Sequence, residues 1–582
     1  MLFRRSRGAP WLGVAAVTLV SAAHAASYYV APTGAGQDCT RATPCALSLA
    51  VSVAAAGDTV YLMDGVYSEG LAPRNSGTPD AWITFQADEC ALPIIQGQGE
   101  STVPDDDGNL PSGVWSNTAS YVRFVGLVSR YWDSGFANGW TGEIGDNSNG
   151  HWEIVNCIAD GNGRTGMGMY SASGFTVRES IAAHNGGNPT GSWSSGIQLY
   201  SVYGTTTDNV VERNVSFENY DAEKNNDGSG FIVDEDTQGT SFINNIGFRN
   251  GGSCMRLTRS HNTHMSHFTC FHNGQNPLAN SPTNPGELYW TDQESRDTTT
   301  LQGSIAVASG SDTDPEALRF PPESGLSNNL TLDSGATPFL TDPAGTNPDF
   351  RLAAAAAAEV ENLGAAGADV DIGFDPKCIV KQAPNAPYQQ TWWIYSIDYA
   401  YIQSIGGVAH CFHPKPRTGG ADLGAYELSG EPHAFSQPGG CVPDENRDPG
   451  TAVAITAAAS TTDTTTTSST GDTSTTSGTA GTTATTTTTG ATSTVDTASS
   501  SPGMSMTATS GATDIGGTAT AVAVIGAGGN GAAPASSGGD GDGDCGCRTA
   551  GVGGRRTEDA ALTFALLGIG MLALRRRGDS PG

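Results

Sequence analysis

The chain has 582 residues, of which 77 are glycine and only 15% are charged. That composition excludes coiled coils and long helical bundles, which draw on abundant Lys, Glu and Leu. With 28 basic against 59 acidic residues and a formal net charge of −31, it also excludes nucleic acid as a partner, because phosphate neutralisation needs Lys and Arg.

In chain order, residues 1–25 read as a secretory signal. Arg4, Arg5 and Arg7 start it, Trp11 to Ala22 is its apolar stretch, and Ala23-His24-Ala25 is an A-x-A cleavage site. Eleven cysteines agree with an oxidising compartment, and Cys39 and Cys45 are placed for a local disulfide. Nine cysteines lie between Cys39 and Cys441, an odd number, so at least one is free or pairs outside that span.

Residues 26–350 carry a repeat. Asn162, Asn185, Asn219, Asn250 and Asn273 follow one another at intervals of 23, 34, 31 and 23 residues. A period near 23 with insertions suits a β-solenoid, whose surplus residues become loops on one side. Before each Asn runs a short β-type stretch, such as Val215-Ser216-Phe217 and Ile246-Gly247-Phe248. A second strand follows each Asn. Stacked on one another, these strands place Met167, Ile197, Phe231, Met255 and Leu288 in one column and Met169, Leu199, Val233, Leu257 and Trp290 in another. Both columns are apolar, so they face a continuous interior. The Asn column marks turns where side-chain amides hydrogen-bond along the stack.

The opening Tyr28-Tyr29-Val30-Ala31-Pro32, with Ala56-Gly57-Asp58-Thr59-Val60-Tyr61-Leu62 and Gly65-Val66-Tyr67, resembles the start of pectate-lyase-like proteins. Pro348-Asp349-Phe350-Arg351-Leu352 and Asp422-Leu423-Gly424-Ala425-Tyr426-Glu427 resemble the closing motifs of secreted β-helix proteins. The resemblance implies an all-β, right-handed parallel β-helix and an action on polysaccharide. The stretch from Asn219 to Asn250 is similar to family 9 polysaccharide lyases but departs from them at the calcium motif. Where that family has Asp-Asp-x-x-Asp, this chain has Gly252-Ser253-Cys254-Met255-Arg256, and its catalytic Lys has no counterpart here.

The alternate positions of the stacked strands point outward. One column holds Gly168, Gln198, Ile232, Arg256 and Tyr289; the next holds Tyr170, Tyr200, Asp234 and Thr258. Tyr170, Gln198, Tyr200 and Tyr289 are the expected sugar-binding residues, since aromatic faces stack on sugar rings. Arg pairs bidentately with uronate carboxylates. For β-elimination on an acidic glycan, Arg256, Arg259 and Lys224 are the candidates for the base and the charge-neutralising groups. Asp221, Asp227, Asp234 and Glu235 are the candidate ligands of a Ca²⁺ ion, a hard cation that takes oxygen donors. The alternative is a non-catalytic adhesin or glycan-binding scaffold. Asp105-Asp106-Asp107-Gly108-Asn109 lacks the spacing of a calcium loop, and His261, His264, His267 and His272 read as surface or turn residues.

Residues 351–441 are expected to cap the last coil, with Trp392-Trp393 either part of that cap or a sugar platform. Residues 442–544, rich in Thr, Ser and Gly, cannot bury a core and read as a disordered stalk. In residues 545–582, Cys545-Gly546-Cys547, the apolar run from Ala560 to Leu574 and Arg575-Arg576-Arg577 resemble the C-terminal sorting tag of myxobacterial surface proteins. The whole therefore reads as a monomer that is secreted, then held at the cell surface (outer membrane) by its tail.

Overall fold

The computed structural model describes residues 25–98, 112–139, 150–170, 173–190, 193–201, 207–235, 237–276, 286–290, 299–309, 317–320, 325–332, 338–340, 343–364, 370–417 and 421–428. The signal, the Asp105–Asn109 loop, the stalk and the sorting tail lie outside the described residues. Among the described residues, no helix is long and apolar enough to cross a membrane.

Each turn of the chain lays one short strand into each of three parallel sheets, which hold 11, 10 and 8 strands among the described residues. One coil runs from Asn209–Glu212 in the first sheet to Val215–Phe217 in the second and Phe231–Glu235 in the third. Strands of successive coils pair in parallel and in register throughout. The architecture is a right-handed parallel β-helix, the hand that a twisted strand followed by a parallel return favours. The short helix Leu47–Val53 packs Leu47, Ala50 and Val51 into the start of the core.

The third-sheet register is the one expected: Met167 lies opposite Ile197, Ile197 opposite Phe231, Phe231 opposite Met255, and Met255 opposite Leu288. All five are buried in the solenoid interior. The Asn column forms as expected too. Asn162 Nδ2 donates to Asn185 Oδ1 at 2.8 Å, Asn185 to Asn219 at 2.9 Å, Asn219 to Asn250 at 2.9 Å and Asn250 to Asn273 at 2.8 Å. Asn273 hands the ladder on to Glu287. A glycine column packs against it. A Cβ on Gly166 would lie 2.6 Å from Asn185 Nδ2 and 2.6 Å from the Gly196 carbonyl oxygen, so a larger residue there would push the coils apart. At the coil beginning with Ser253 that place belongs to Cys254, bonded to Cys270.

Among the described residues, Cys39–Cys45, Cys254–Cys270 and Cys378–Cys411 are disulfides, Cys90 is also disulfide-bonded, and Cys157 is a buried free thiol.

The capping role expected of residues 351–441 gives way, for the described residues from 338 to 428, to a different contact. They lie along the outer face of the second sheet, where Phe350, Ile372, Phe374, Tyr395, Ile402 and Tyr426 form a second core with Val128, Ile158, Ile181, Val215, Phe217, Ile246, Phe248 and Phe271. Gln403 reaches back to Asp64 in an early coil, and Gly424 N–H donates to the Gly303 carbonyl near the other end. The physical reason is visible in the strands. In Val215-Ser216-Phe217 and Ile246-Gly247-Phe248 the large residues point out and the small ones in, so this outer face must be covered. Trp393 is buried in that cover, with its ring 5.2 Å from the His184 ring, and is therefore no sugar platform.

Candidate functional site

The outer face of the third sheet presents the polar column. Pairing registers extend it to Trp115, Ala137, Gly168, Gln198, Ile232, Arg256, Tyr289 and Arg319. The column points away from the interior as expected, but Gln198, Arg256 and Tyr289 are buried rather than open to solvent. Gln198 Oε1 accepts from Thr165 Oγ1 at 2.9 Å, and the Arg319 guanidinium lies 5.4 Å from the Tyr289 ring centre. Tyr170 and Tyr200 are half-buried neighbours, edge-on at 6.2 Å. Because Gly168 has no side chain, the Tyr170 ring folds across it: a Cβ there would be 2.8 Å from the Tyr170 hydroxyl.

Charge gathers one step further along. The turn from Tyr220 to Ser229 brings Asp227 over the strand Met255–Leu257, where Arg256 Nη1 donates to Asp227 Oδ1 at 2.8 Å and to the Asn226 carbonyl at 2.7 Å. Asp234 lies on the neighbouring strand two residues beyond Ile232, the residue opposite Arg256, so both side chains leave the same face. Burial pushes the Asp227 carboxyl up to about 7, against the pull of Arg256 and with help from Asp234 and Asp221. Burial likewise raises Asp234, opposed by Arg256, the Glu235 N–H and Arg259. Arg259, half-exposed at the rim, pairs with Glu235.

Lys224 is exposed, with its ammonium 2.8 Å from the carboxylate of its neighbour Glu223. The Arg256 guanidinium carries donors only and directs them at Asp227 and the Asn226 carbonyl. Arg256 is thus arranged to neutralise charge rather than to act as base. Burial raises two of the carboxylates here, Asp227 and Asp234, and so makes them readier proton acceptors than exposed ones.

The residues expected to hold calcium each have a protein partner, Asp234 accepting from the Glu235 N–H. Asp221 Oδ2 accepts from the N–H groups of Asn226 and Asp227, while Asp227 and Glu235 are committed to arginines. Among the described residues, the group whose ligand atoms converge is Cys254, Cys270 and Glu287, and its two cysteines form a disulfide. The histidines diverge as well. His264 is exposed and bonds Thr300, whereas His267, at a turn, is buried rather than on the surface, and burial together with Arg417 drives its pKa down to about 3.

Sequence reasoning missed Trp115, Asp133, Arg164 and Trp193. The signal was present in a recurring Ser/Thr-Gly-apolar triplet. Ser134-Gly135-Phe136 precedes Thr165-Gly166-Met167, Ser195-Gly196-Ile197 and Ser229-Gly230-Phe231, and adding it extends the stack one coil upstream.

No family model and no curated protein matches the chain. Among solved structures it is similar to pectate lyase Pel9A, at 18% identity over 69% of this chain and 96% of that one, with a TM-score of 0.38. A rhamnogalacturonan lyase matches at 14% identity over 56% of this chain and 95% of its own, TM-score 0.39. The alginate lyase of Paenibacillus sp. str. FPU-7 matches at 15% over 53% and 98%, TM-score 0.28. The fold assignment rests on the sheet registers, and these likenesses assign no residue of the site.

Proposed function

We propose that the chain binds an acidic polysaccharide along the outer face of the third sheet and cleaves it by β-elimination. Arg256 and Arg259 meet the uronate carboxylate, and Asp234 takes the proton α to it. The enolate charge that develops stays beside the Arg256 guanidinium, which Asp227 holds in place; its collapse forms the double bond next to the carboxylate and breaks the bond to the β glycosidic oxygen, which leaves with a proton from solvent. The observation that carries this reading is the buried Asp227–Arg256 ion pair set against the half-buried Asp234, whose raised pKa makes it a better proton acceptor than an ordinary carboxylate. No step is routed through calcium.

The test is the ultraviolet absorbance of the unsaturated uronate product on pectate, alginate and glycosaminoglycans. Asp234→Asn is expected to lower kcat by roughly 10²- to 10⁴-fold with the fold intact by circular dichroism. Full activity in that variant excludes Asp234 as the base.

A non-catalytic glycan-binding scaffold is the second reading, favoured by the pairing of Lys224, Arg256 and Arg259 with carboxylates. Binding without product absorbance or new reducing ends selects it. On either reading we place the protein outside the cytoplasm, as a monomer tethered by its tail to the cell surface. The disulfides support export, since such bonds persist in oxidising compartments.

A further inference from the structure

The Asp227–Arg256 pair depends on the turn from Tyr220 to Ser229, which contains no strand of its own. Its hydrogen bonds fold it back on Asp221. Asn225 N–H donates to the Asp221 carbonyl at 2.9 Å, and the N–H groups of Asn226 and Asp227 reach Asp221 Oδ2 at 3.3 and 3.2 Å. The Tyr220 hydroxyl braces the crest, donating to Asn225 Oδ1 at 2.8 Å. Beneath the turn, glycine leaves the room it needs. A Cβ on Gly252 would lie 2.4 Å from the Asp227 carbonyl oxygen, and one on Gly251 3.0 Å from Tyr220 Cδ2.

The buried Tyr220 ring has its outer support from a distant part of the chain. The half-buried Trp392, in the cover over the second sheet, stands edge-on to it with ring centres 5.8 Å apart. Aromatic pairs favour this arrangement. The backbone that carries the indole is itself fixed. Arg249 Nη2 donates to the Trp392 carbonyl at 2.9 Å and Arg249 Nε to Glu218 Oε1 at 3.1 Å. Glu218 in turn accepts from the N–H groups of Ile394 and Tyr395. At the far side of the turn stands Arg256. Among the described residues its guanidinium hydrogen-bonds to this turn alone, through the Asn226 carbonyl and Asp227 Oδ1.

We propose that Trp392 is a positioning residue of the Asp234 centre: by backing Tyr220 it keeps the turn seated, and the seated turn aims Arg256. The route leads from the cover of one sheet to the charged face of another. Trp392 itself meets neither substrate nor reacting atoms, so its effect reaches the chemistry only through the guanidinium. A displacement of about 1 Å at a reacting centre can cost on the order of 10²-fold in rate. This inference rests on the reading of the Asp234 centre given above.

The experiment uses the full chain on pectate, alginate and glycosaminoglycans, with cleavage followed by product absorbance and the turn followed by hydrogen exchange. Trp392→Ala is expected to lower kcat by roughly 10- to 100-fold, with KM changed less than about 2-fold because Arg259 still meets the polyanion. Exchange of residues 220–229 is expected to quicken by about 10-fold or more, while the strand Phe231–Glu235 keeps its protection. Trp392→Phe keeps an edge-on ring and restores most of both. In an Arg256→Ala background, Trp392→Ala should cost less than about 2-fold further, since its effect passes through that side chain. A full additional loss in that background, or unchanged exchange of the turn, overturns the proposal. Protection lost throughout the solenoid also overturns it and assigns Trp392 to the fold at large. If wild type releases no product, the Asp234 centre falls and the positioning role with it, whereas a wild type that cleaves beside a Trp392→Ala variant of unchanged kcat leaves the centre standing and removes the positioning role alone.

Discussion

Two outer faces of one solenoid were built for different ends. The second sheet turns Ile158, Val215, Phe217, Ile246 and Phe248 outward and is covered by residues 338–428. The third sheet turns out Gln198, Arg256 and Tyr289, with Asp234 and the paired tyrosines beside them. Even the charges differ in use. Under the cover of the second sheet, His184 Nδ1 donates to Asp160 at 2.7 Å and Nε2 to the Tyr395 carbonyl at 3.0 Å, with Glu218 3.4 Å away. Glu218 also accepts from Arg249 and from the N–H groups of Ile394 and Tyr395. There His184 and Glu218 are sealed from solvent and answer each other's charge. On the third sheet, carboxylates with raised pKa values stand beside arginines at a rim that solvent reaches. The first pattern fastens one part of the chain to another; the second leaves titratable groups for a partner.

The largest expected effect breaks the fastening. Glu218→Gln leaves His184 and Arg249 buried with too little negative charge, and removing one member of a buried pair costs about 3–5 kcal/mol. Denaturant unfolding is expected to show that loss, whereas Asp234→Asn on the other face leaves the midpoint nearly unchanged. Equal midpoints for the two variants contradict the division of labour between the faces.

Next comes pH. Burial opposes a charged His184, yet its hydrogen bonds to Asp160 and Glu218 and their charges push its pKa up to about 9. A folded pKa above the unfolded value, about 6.5, means stability that is complete below about 6.5 and lost as pH rises through about 9. The loss is on the order of 3 kcal/mol at about 1.4 kcal/mol per pKa unit. Unfolding measured across that window should show the decline in wild type and a much flatter profile in His184→Gln.

A smaller effect sharpens what the two faces share, which is the interior ladder. Asn219→Ala removes the acceptor of Asn185 and the donor to Asn250. Each buried group so orphaned costs about 1–3 kcal/mol. The same substitution at Asn162, the first Asn of the ladder, takes the donor from Asn185 and the acceptor from the part-buried Trp132 N–H, which solvent can satisfy in part, and should cost less. Hydrogen exchange of the flanking coils reads the difference.

Much of this was legible in the residues themselves. The Asn spacing and the two apolar columns lead directly to the solenoid, because a strand period of two and a fixed coil length leave few other registers. The covering of the second sheet was not legible. Val215-Ser216-Phe217 shows the same alternation whether its large residues face in or out, and only the narrow space beside the Asn ladder decides that the small ones face in. The site was half legible. Arg256, Gln198 and Asp234 fall on the face that periodicity assigns them. That Asp227 folds over Arg256, and so pairs a candidate ligand with a candidate catalytic residue, depends on the turn from Tyr220 to Ser229, whose path no strand period describes.

The smallest effect on stability separates binding from folding on the third face. Arg259 is half-exposed and its partner Glu235 partly so, and ion pairs of that kind contribute about 0–1 kcal/mol. Arg259→Ala should therefore leave the unfolding midpoint almost where it is. Its charge nonetheless lies at the entrance to the Asp234 centre, where a polyanion first meets the protein. Removing it is expected to raise KM for a uronate polymer and to weaken the dependence of KM on ionic strength, since screening acts chiefly on exposed charges. Lost stability with unchanged KM assigns Arg259 to the fold; a raised KM with unchanged stability assigns it to the ligand, and only the second outcome is compatible with an open, partner-facing third sheet.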